Sequence, residues 1–233
     1  MTETEPMSFA DLTVREFVAE LASSAPAPGG GAASAVIGAT AASLVSMVAE
    51  LSVGRPRLVR YAATINRSAK VGRRLGAELL RLADEDAQAF GAFMEVWKAA
   101  GAMAPDERQA AMSAAGRGSA EAPRSILGCC LVIADVAERL AGRNNPRLAS
   151  DLLCASRAVE AASNCAAENV YVNLPNFADS AEADEWQLET KRMVADVERL
   201  ARATRRVIAR GAYRGTGRRP RGVTDPRRAS GAP

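Results

Sequence analysis

Between Leu58 and Trp97, apolar and small residues recur in steps of three and four: Leu58, Tyr61, Ile65, Ala69, Gly72, Leu75, Leu79, Leu82, Asp86, Phe90, Phe93, Trp97. That spacing holds one face of a 3.6-residue helix toward a core for roughly 60 Å, at ~1.5 Å per residue. So long a stripe is buried only by partners of comparable length, which points to a helical bundle rather than to a layered α/β fold. No alternating strand pattern competes with it. Aromatics make up 4% of the chain while alanine is abundant, a composition suited to closely packed helices.

The same periodicity predicts further helices on either side. One opens at Thr13, where Glu16 three residues on completes a capping box, Leu12 can staple to Phe17, and Val14, Phe17, Val18 and Leu21 form the apolar face. A second covers about 31–52 and stops at Gly54, its Ser34, Gly38, Ala41 and Ala42 permitting close approach of a neighbour. The long stripe gives a helix over about 58–100. A shorter one follows Pro105, another starts near Pro123 and ends at Gly142, and the last two cover about 148–172 and 180–210. The expected fold is all-α: a single-domain bundle of long antiparallel helices over 9–212, between a flexible stretch at 1–8 and an Arg-rich disordered tail at 213–233.

Charge and residue usage exclude several chemistries. The chain has 233 residues and no histidine, which removes His-based triads, His metal sites and His proton shuttles; no metal site is expected. Acid–base work falls to Asp, Glu, Lys, Tyr or Cys. The formal charge of +3 is a property of the tail: from Arg214 onward six arginines face one aspartate, a net +5, so the body carries −2. Without aromatics interleaved to stack bases, apart from Tyr213 at its edge, that tail reads as solvated rather than as a nucleic-acid or membrane element. Cys129, Cys130, Cys154 and Cys165 have no CxxC spacing and lie in apolar helical runs, as reduced core thiols of a cytoplasmic protein would. No charged residue lies between Glu20 and Glu50, but prolines and glycines divide that stretch, and its Ala, Gly, Ser and Thr content suits a helix buried in a bundle better than a membrane span.

Four groups of residues invite a functional reading. Pro26-Ala27-Pro28-Gly29-Gly30-Gly31 runs straight into an Ala-rich helix, so a loop with free φ angles leads to unpaired N–H groups at a positive helix end. Such a loop can cradle an anion or carbonyl, or serve only as a linker; it lacks the Lys-Ser/Thr of a P-loop. Asp86 sits on the apolar stripe between Leu82 and Phe90, where burial would raise its pKa and make it an acid or base at neutral pH; the alternative is a structural carboxylate that caps a helix or meets an Arg. Asp84 and Glu85 fall off the stripe and are expected in solvent. Asn169 and Asn173, one turn apart, could read the edge of a heterocycle or simply end a helix, and Ser150-Asp151 at the other end of that helix fit capping and dipole compensation as well as chemistry. Arg55 and Arg57 could clamp a carboxylate. At ~1.5 Å per residue they lie about 30 Å from the glycines within one subunit, so a shared ligand would need a long substrate or a neighbouring subunit.

In order along the chain, PAPGGGAASA at 26–35, LSVGR at 51–55, DEDAQAF at 84–90, Pro123, NNPRLASDLL at 144–153 and ENVYVNLPNFAD at 168–179 resemble the formimidoyltetrahydrofolate cyclodeaminase and methenyltetrahydrofolate cyclohydrolase family. The resemblance covers roughly 8–210. It implies an all-helical, dimeric enzyme that hydrolyses 5,10-methenyltetrahydrofolate to 10-formyltetrahydrofolate, or closes a formimino group with loss of ammonia, with no cofactor beyond the tetrahydrofolate substrate. A relative acting on another amidine or imine, or a folate-binding scaffold without turnover, would share the same motifs. On this reading Asp86 is the proton-transfer group, supported by Asp151. Asn169 and Asn173 hold the pterin, the loop at Pro28, Gly29, Gly30 and Gly31 meets a carbonyl or carboxylate, and Arg55 meets the glutamate tail. Three departures accompany the match: Arg55 stands where the family often has Lys, Ala32 where it often has Ser, and the Arg-rich tail has no counterpart in the family pattern.

Overall fold

The computed structural model describes residues 8–211; the predicted tail at 213–233, and all but the last residue of the stretch predicted to be flexible at 1–8, lie outside it. Six helices follow one another: α1 (Val14–Leu21), α2 (Gly30–Glu50), α3 (Ala62–Ala99), α4 (Pro105–Leu140), α5 (Ala149–Tyr171) and α6 (Ser180–Ala209). Short 3-10 turns, among them Phe9–Asp11, Pro56–Tyr61 and Leu174–Asn176, join them, and the described residues contain no strand. The all-α bundle expected from the periodicity is therefore the fold.

α2 is the axis of the bundle. Most of its alanines and serines are buried along its length, and α3 and α5 pack against it antiparallel. Contact with α3 is backbone to backbone: a Cβ on Gly72 would lie 2.7 Å from the Ala42 carbonyl oxygen and 2.9 Å from Ser46. The seam therefore requires glycine at that position. Ser46 hydroxyl donates to the Ala69 carbonyl across the same seam at 3.1 Å. This burial accounts for the long uncharged stretch: α2 is long and apolar enough to cross a bilayer, and most of it is enclosed by its neighbours. Leu79, Ile126, Ile133, Leu152 and Val159 complete the core.

Several expectations need correction. The helix expected from 58 begins as a 3-10 turn, Pro56–Tyr61, and becomes α-helical at Ala62. The two helices expected after Pro105 are one, α4, which passes through Pro123 without stopping. A proline removes one N–H and crowds one carbonyl, and packing against α3, α5 and α6 holds the helix across that single gap. The stripe of α3 leaves the core after Asp86, because α3 outruns the shorter α2: Phe90 is at the surface of a cavity and Trp97 is 59% exposed. The capping box at Thr13 and Glu16 is present, but Val14 is 83% exposed and only Phe17 of the α1 face is buried, its ring edge-on to Phe9. Cys130 is buried, whereas Cys154 and Cys165 are exposed; all four thiols are free.

Candidate active site

The glycine loop delivers α2 with its first amides uncovered, since Gly29 at the N-cap has no side chain to occupy them. What meets them is Asp86. A Cβ on Gly31 would fall 2.1 Å from Asp86 Oδ1, so the carboxyl rests directly on the Gly31 backbone, and the Ala32 N–H hydrogen-bonds to it. Burial pushes the Asp86 pKa up from 3.8 to about 6, and the Ala32 hydrogen bond pulls the other way. The helix end thus receives its negative charge from within the protein. Asp86 meets the end of α2 across the bundle, and its two readings, structural cap and proton-transfer group, are compatible with one position.

Asp86 faces a cavity of about 340 Å³ lined also by Pro26, Gly29, Gly30, Phe90, Phe93 and Asn169. Asn173, Asn176, Ser119 and Pro123 close its other side. α5 runs antiparallel to α2, which brings Asn169 over Gly30: a Cβ there would lie 3.2 Å from Asn169 Nδ2. Asn169 Nδ2 donates to the Cys165 carbonyl at 2.8 Å, and Asn173 Nδ2 donates to the Asn169 carbonyl at 2.9 Å. Neither of these bonds uses an amide oxygen, so each side chain keeps its acceptor. Phe90 and Phe93 give the cavity an apolar wall one and two turns beyond Asp86 on the same helix face.

The remaining predicted residues are elsewhere. Pro28 is buried in the loop behind the cavity rather than on its lining. Arg55 is exposed past the far end of α2, its Nε donating to the Leu51 carbonyl at 2.9 Å. Asp151 lies in the first turn of α5, at that same far end, where it complements the helix dipole; Ser150 is inside the helix and caps nothing. Asp84, expected in solvent, is half-buried and accepts from the Ser8 hydroxyl at 2.6 Å and the Phe9 N–H at 2.8 Å, fastening the N-terminal turn to α3. Glu85 pairs with Arg81 on the surface. Among the described residues no three His, Cys, Asp or Glu side chains gather as a metal ion would require.

Residues 13–192 match the Formiminotransferase-cyclodeaminase family. The chain belongs to that family. A methenyltetrahydrofolate cyclohydrolase of Methylorubrum extorquens is 34% identical over 192 residues, which are 81% of this chain and 91% of that protein. The formimidoyltransferase-cyclodeaminase of Mus musculus is 31% identical over 74% of this chain, which spans about a third (32%) of the mouse protein's length. The crystal structure of formiminotetrahydrofolate cyclodeaminase from Thermotoga maritima shares the fold with a TM-score of 0.76 at 26% identity, covering 85% of this chain and 96% of that one. Of the residues singled out from the sequence, Asp86, Gly29, Gly30, Gly31, Asn169 and Asn173 line this cavity. Sequence reasoning missed Ser119, Phe90, Phe93 and Asn176 as lining residues. The signal for the aromatics was available, since they repeat the Asp86 face at i+4 and i+7.

Proposed function

We propose that the cavity converts 5,10-methenyltetrahydrofolate and water into 10-formyltetrahydrofolate. The observation that carries this reading is Asp86: a carboxyl on the floor of the cavity, held by a helix end, with a pKa of about 6. The substrate is an amidinium cation, and an ionised Asp86 favours it electrostatically. Ionised Asp86 takes one proton from water as the oxygen bonds to the amidinium carbon. The resulting carbinol collapses: the bond to the pteridine nitrogen breaks, that nitrogen receives the proton held by Asp86, and the hydroxyl proton leaves to solvent as the formyl C=O forms. One carboxyl serves both transfers. Asn169 and Asn173 offer amide oxygens to the N–H groups of the pteridine, and Phe90 and Phe93 cover its face.

The likeness to the Thermotoga maritima protein supports a second reading, cyclodeamination, in which a folate nitrogen attacks the formimino carbon and ammonia leaves. Asp86 would then protonate the departing nitrogen. Loss of methenyltetrahydrofolate absorbance above the spontaneous rate, abolished in Asp86→Asn, supports the hydrolase; ammonia release from formiminotetrahydrofolate with no such loss overturns it in favour of the deaminase.

The assembly we propose is a homodimer in the cytoplasm, with no cofactor beyond the folate and no membrane or nucleic-acid partner. Arg55 and Asp151 stand roughly 30 Å from Asp86, one α2 length at ~1.5 Å per residue, and a second copy would bring that end to a neighbour's cavity and to the carboxylates of the folate tail.

A further inference from the structure

Pro123 lies in the interior of α4 and has no N–H to give to the Ser119 carbonyl four residues before it. Ser119, Pro123 and Asn173 all line the cavity. The Ser119 hydroxyl is committed elsewhere, donating to the Ala89 carbonyl of α3 at 3.2 Å, which fixes the residue in place. Its carbonyl is met from outside the helix by Asn173 Nδ2 at 3.5 Å, the long limit of a hydrogen bond, while that same Nδ2 makes its good bond to Asn169 at 2.9 Å. A carbonyl with two lone pairs, released from the helix ladder beside a binding cavity, is an acceptor ready for a ligand.

We infer that the Ser119 carbonyl is a specificity-determining acceptor for an N–H donor of the substrate, and that Pro123 is in α4 to keep it available. The inference rests on the folate reading of this cavity. In that substrate class the fitting donor is the amino-substituted edge of the pteridine ring. Ser119 touches the ligand; Pro123 is a positioning residue that acts through it.

Pro123→Ala supplies the missing N–H and lets the helix recapture the carbonyl. The variant is expected to unfold at a higher temperature than the wild type, because an interior proline is replaced by the best helix former. Binding is measured by calorimetry with 5-formyltetrahydrofolate and with its counterpart carrying a methyl group in place of the pteridine amino group. The wild type is expected to prefer the amino compound by roughly 3- to 10-fold, the size of one neutral hydrogen bond, and the variant to lose most of that preference. Equal weakening of both ligands would mean that Pro123 only packs, and overturns the inference. A wild type that binds both compounds equally also overturns it while leaving the folate reading intact. Failure of the wild type to bind either compound removes the folate reading itself and the inference with it.

Discussion

The two ends of α2 are built from the same kinds of residue and do opposite things with them. At the N-terminal end a glycine loop, a carboxylate and a pair of asparagines converge: Asp86 lies on Gly31 and Asn169 over Gly30 around one cavity. At the C-terminal end there is again a glycine turn at Gly54 (φ 71°), a carboxylate at Asp151 and a pair of asparagines, Asn144 and Asn145. There the polar groups serve the backbone. The Ser52 hydroxyl accepts from the Asn145 N–H at 2.7 Å, Asn144 Nδ2 donates to the Asn145 carbonyl at 2.9 Å, and the Asn145 side chain caps the turn that follows. Residue type therefore does not separate a candidate site from a structural helix end. The difference is placement: Asp86 lines a cavity, where burial raises its pKa, whereas Asp151 lies in the first turn of α5, away from that cavity.

The largest expected effect tests that difference directly. Asp86→Asn should lower turnover of methenyltetrahydrofolate by 10²- to 10⁴-fold, the range of one general acid–base group, without unfolding the protein, since the amide oxygen can still accept from Ala32. Stability should move the other way. A carboxyl whose folded pKa is raised from 3.8 to about 6 binds more protons folded than unfolded in that window, so its contribution to stability falls as pH rises from 4 through 6. Melting temperatures of wild type and Asp86→Asn should therefore diverge in favour of the variant above pH 6 and converge near pH 4. A wild-type rate that climbs through a midpoint near 6 and then levels would identify the ionised carboxylate as the working form; a rate that falls there would assign it the acid role.

Gly31→Ala comes next. A Cβ 2.1 Å from Asp86 Oδ1 must displace the carboxyl. A displacement of about 1 Å can cost 10²-fold in rate, with about 1–3 kcal/mol of stability lost to overpacking. Steady-state kinetics and denaturant melts on the same preparation check both. An Ala variant with full activity would mean that the carboxyl position is not what the reaction uses.

How far the sequence revealed this contrast follows from which forces act locally. Helix phase was legible because burial selects residues every three or four positions, and the stripe from Leu58 to Leu82 is core with few exceptions. Asp86 stood out as a carboxylate on that stripe. What lay beyond reach depended on the relative lengths of helices packed together. Phe90 and Phe93 carry the same phase as Leu79, yet they line a cavity because α2 ends beside Asp86. Pro123 reads as a helix start by local rules, and tertiary packing carries the helix through it. Asp84 differs from Asp86 by two positions, and only the fold shows that its partner is the N-terminal turn at Ser8 and Phe9.

The far end should report more weakly and through a second copy. Arg55→Ala is expected to raise KM for a polyglutamylated folate by about 10-fold, the worth of one charge-assisted pair, with kcat and melting temperature unchanged. If the arginine serves a neighbour's cavity, subunit exchange between Arg55→Ala and Asp86→Asn homodimers restores one intact site in each mixed dimer. At equal mixing, half the dimers are mixed, and activity at low substrate should recover to about a quarter of wild type. No recovery, with exchange shown by mass, would confine each site to its own chain.

The smallest effect tests the claim that Asp86 takes the place of a missing cap. Gly29 is extended (φ −120°, ψ −157°), and a Cβ there meets nothing within 4 Å, so serine fits. Gly29→Ser would put a hydroxyl at the N-cap, a position worth a few tenths of a kcal/mol over glycine. That hydroxyl accepts from the N–H groups of the first turn, including that of Ala32. Since the Ala32 bond lowers the Asp86 pKa, sharing it should move the midpoint of the rate profile upward from about 6, with kcat on the plateau within two-fold of wild type. A midpoint that stays in place while the melting temperature rises would show that the α2 amides stabilise the helix end without tuning the carboxylate, and would leave desolvation alone to set the raised Asp86 pKa.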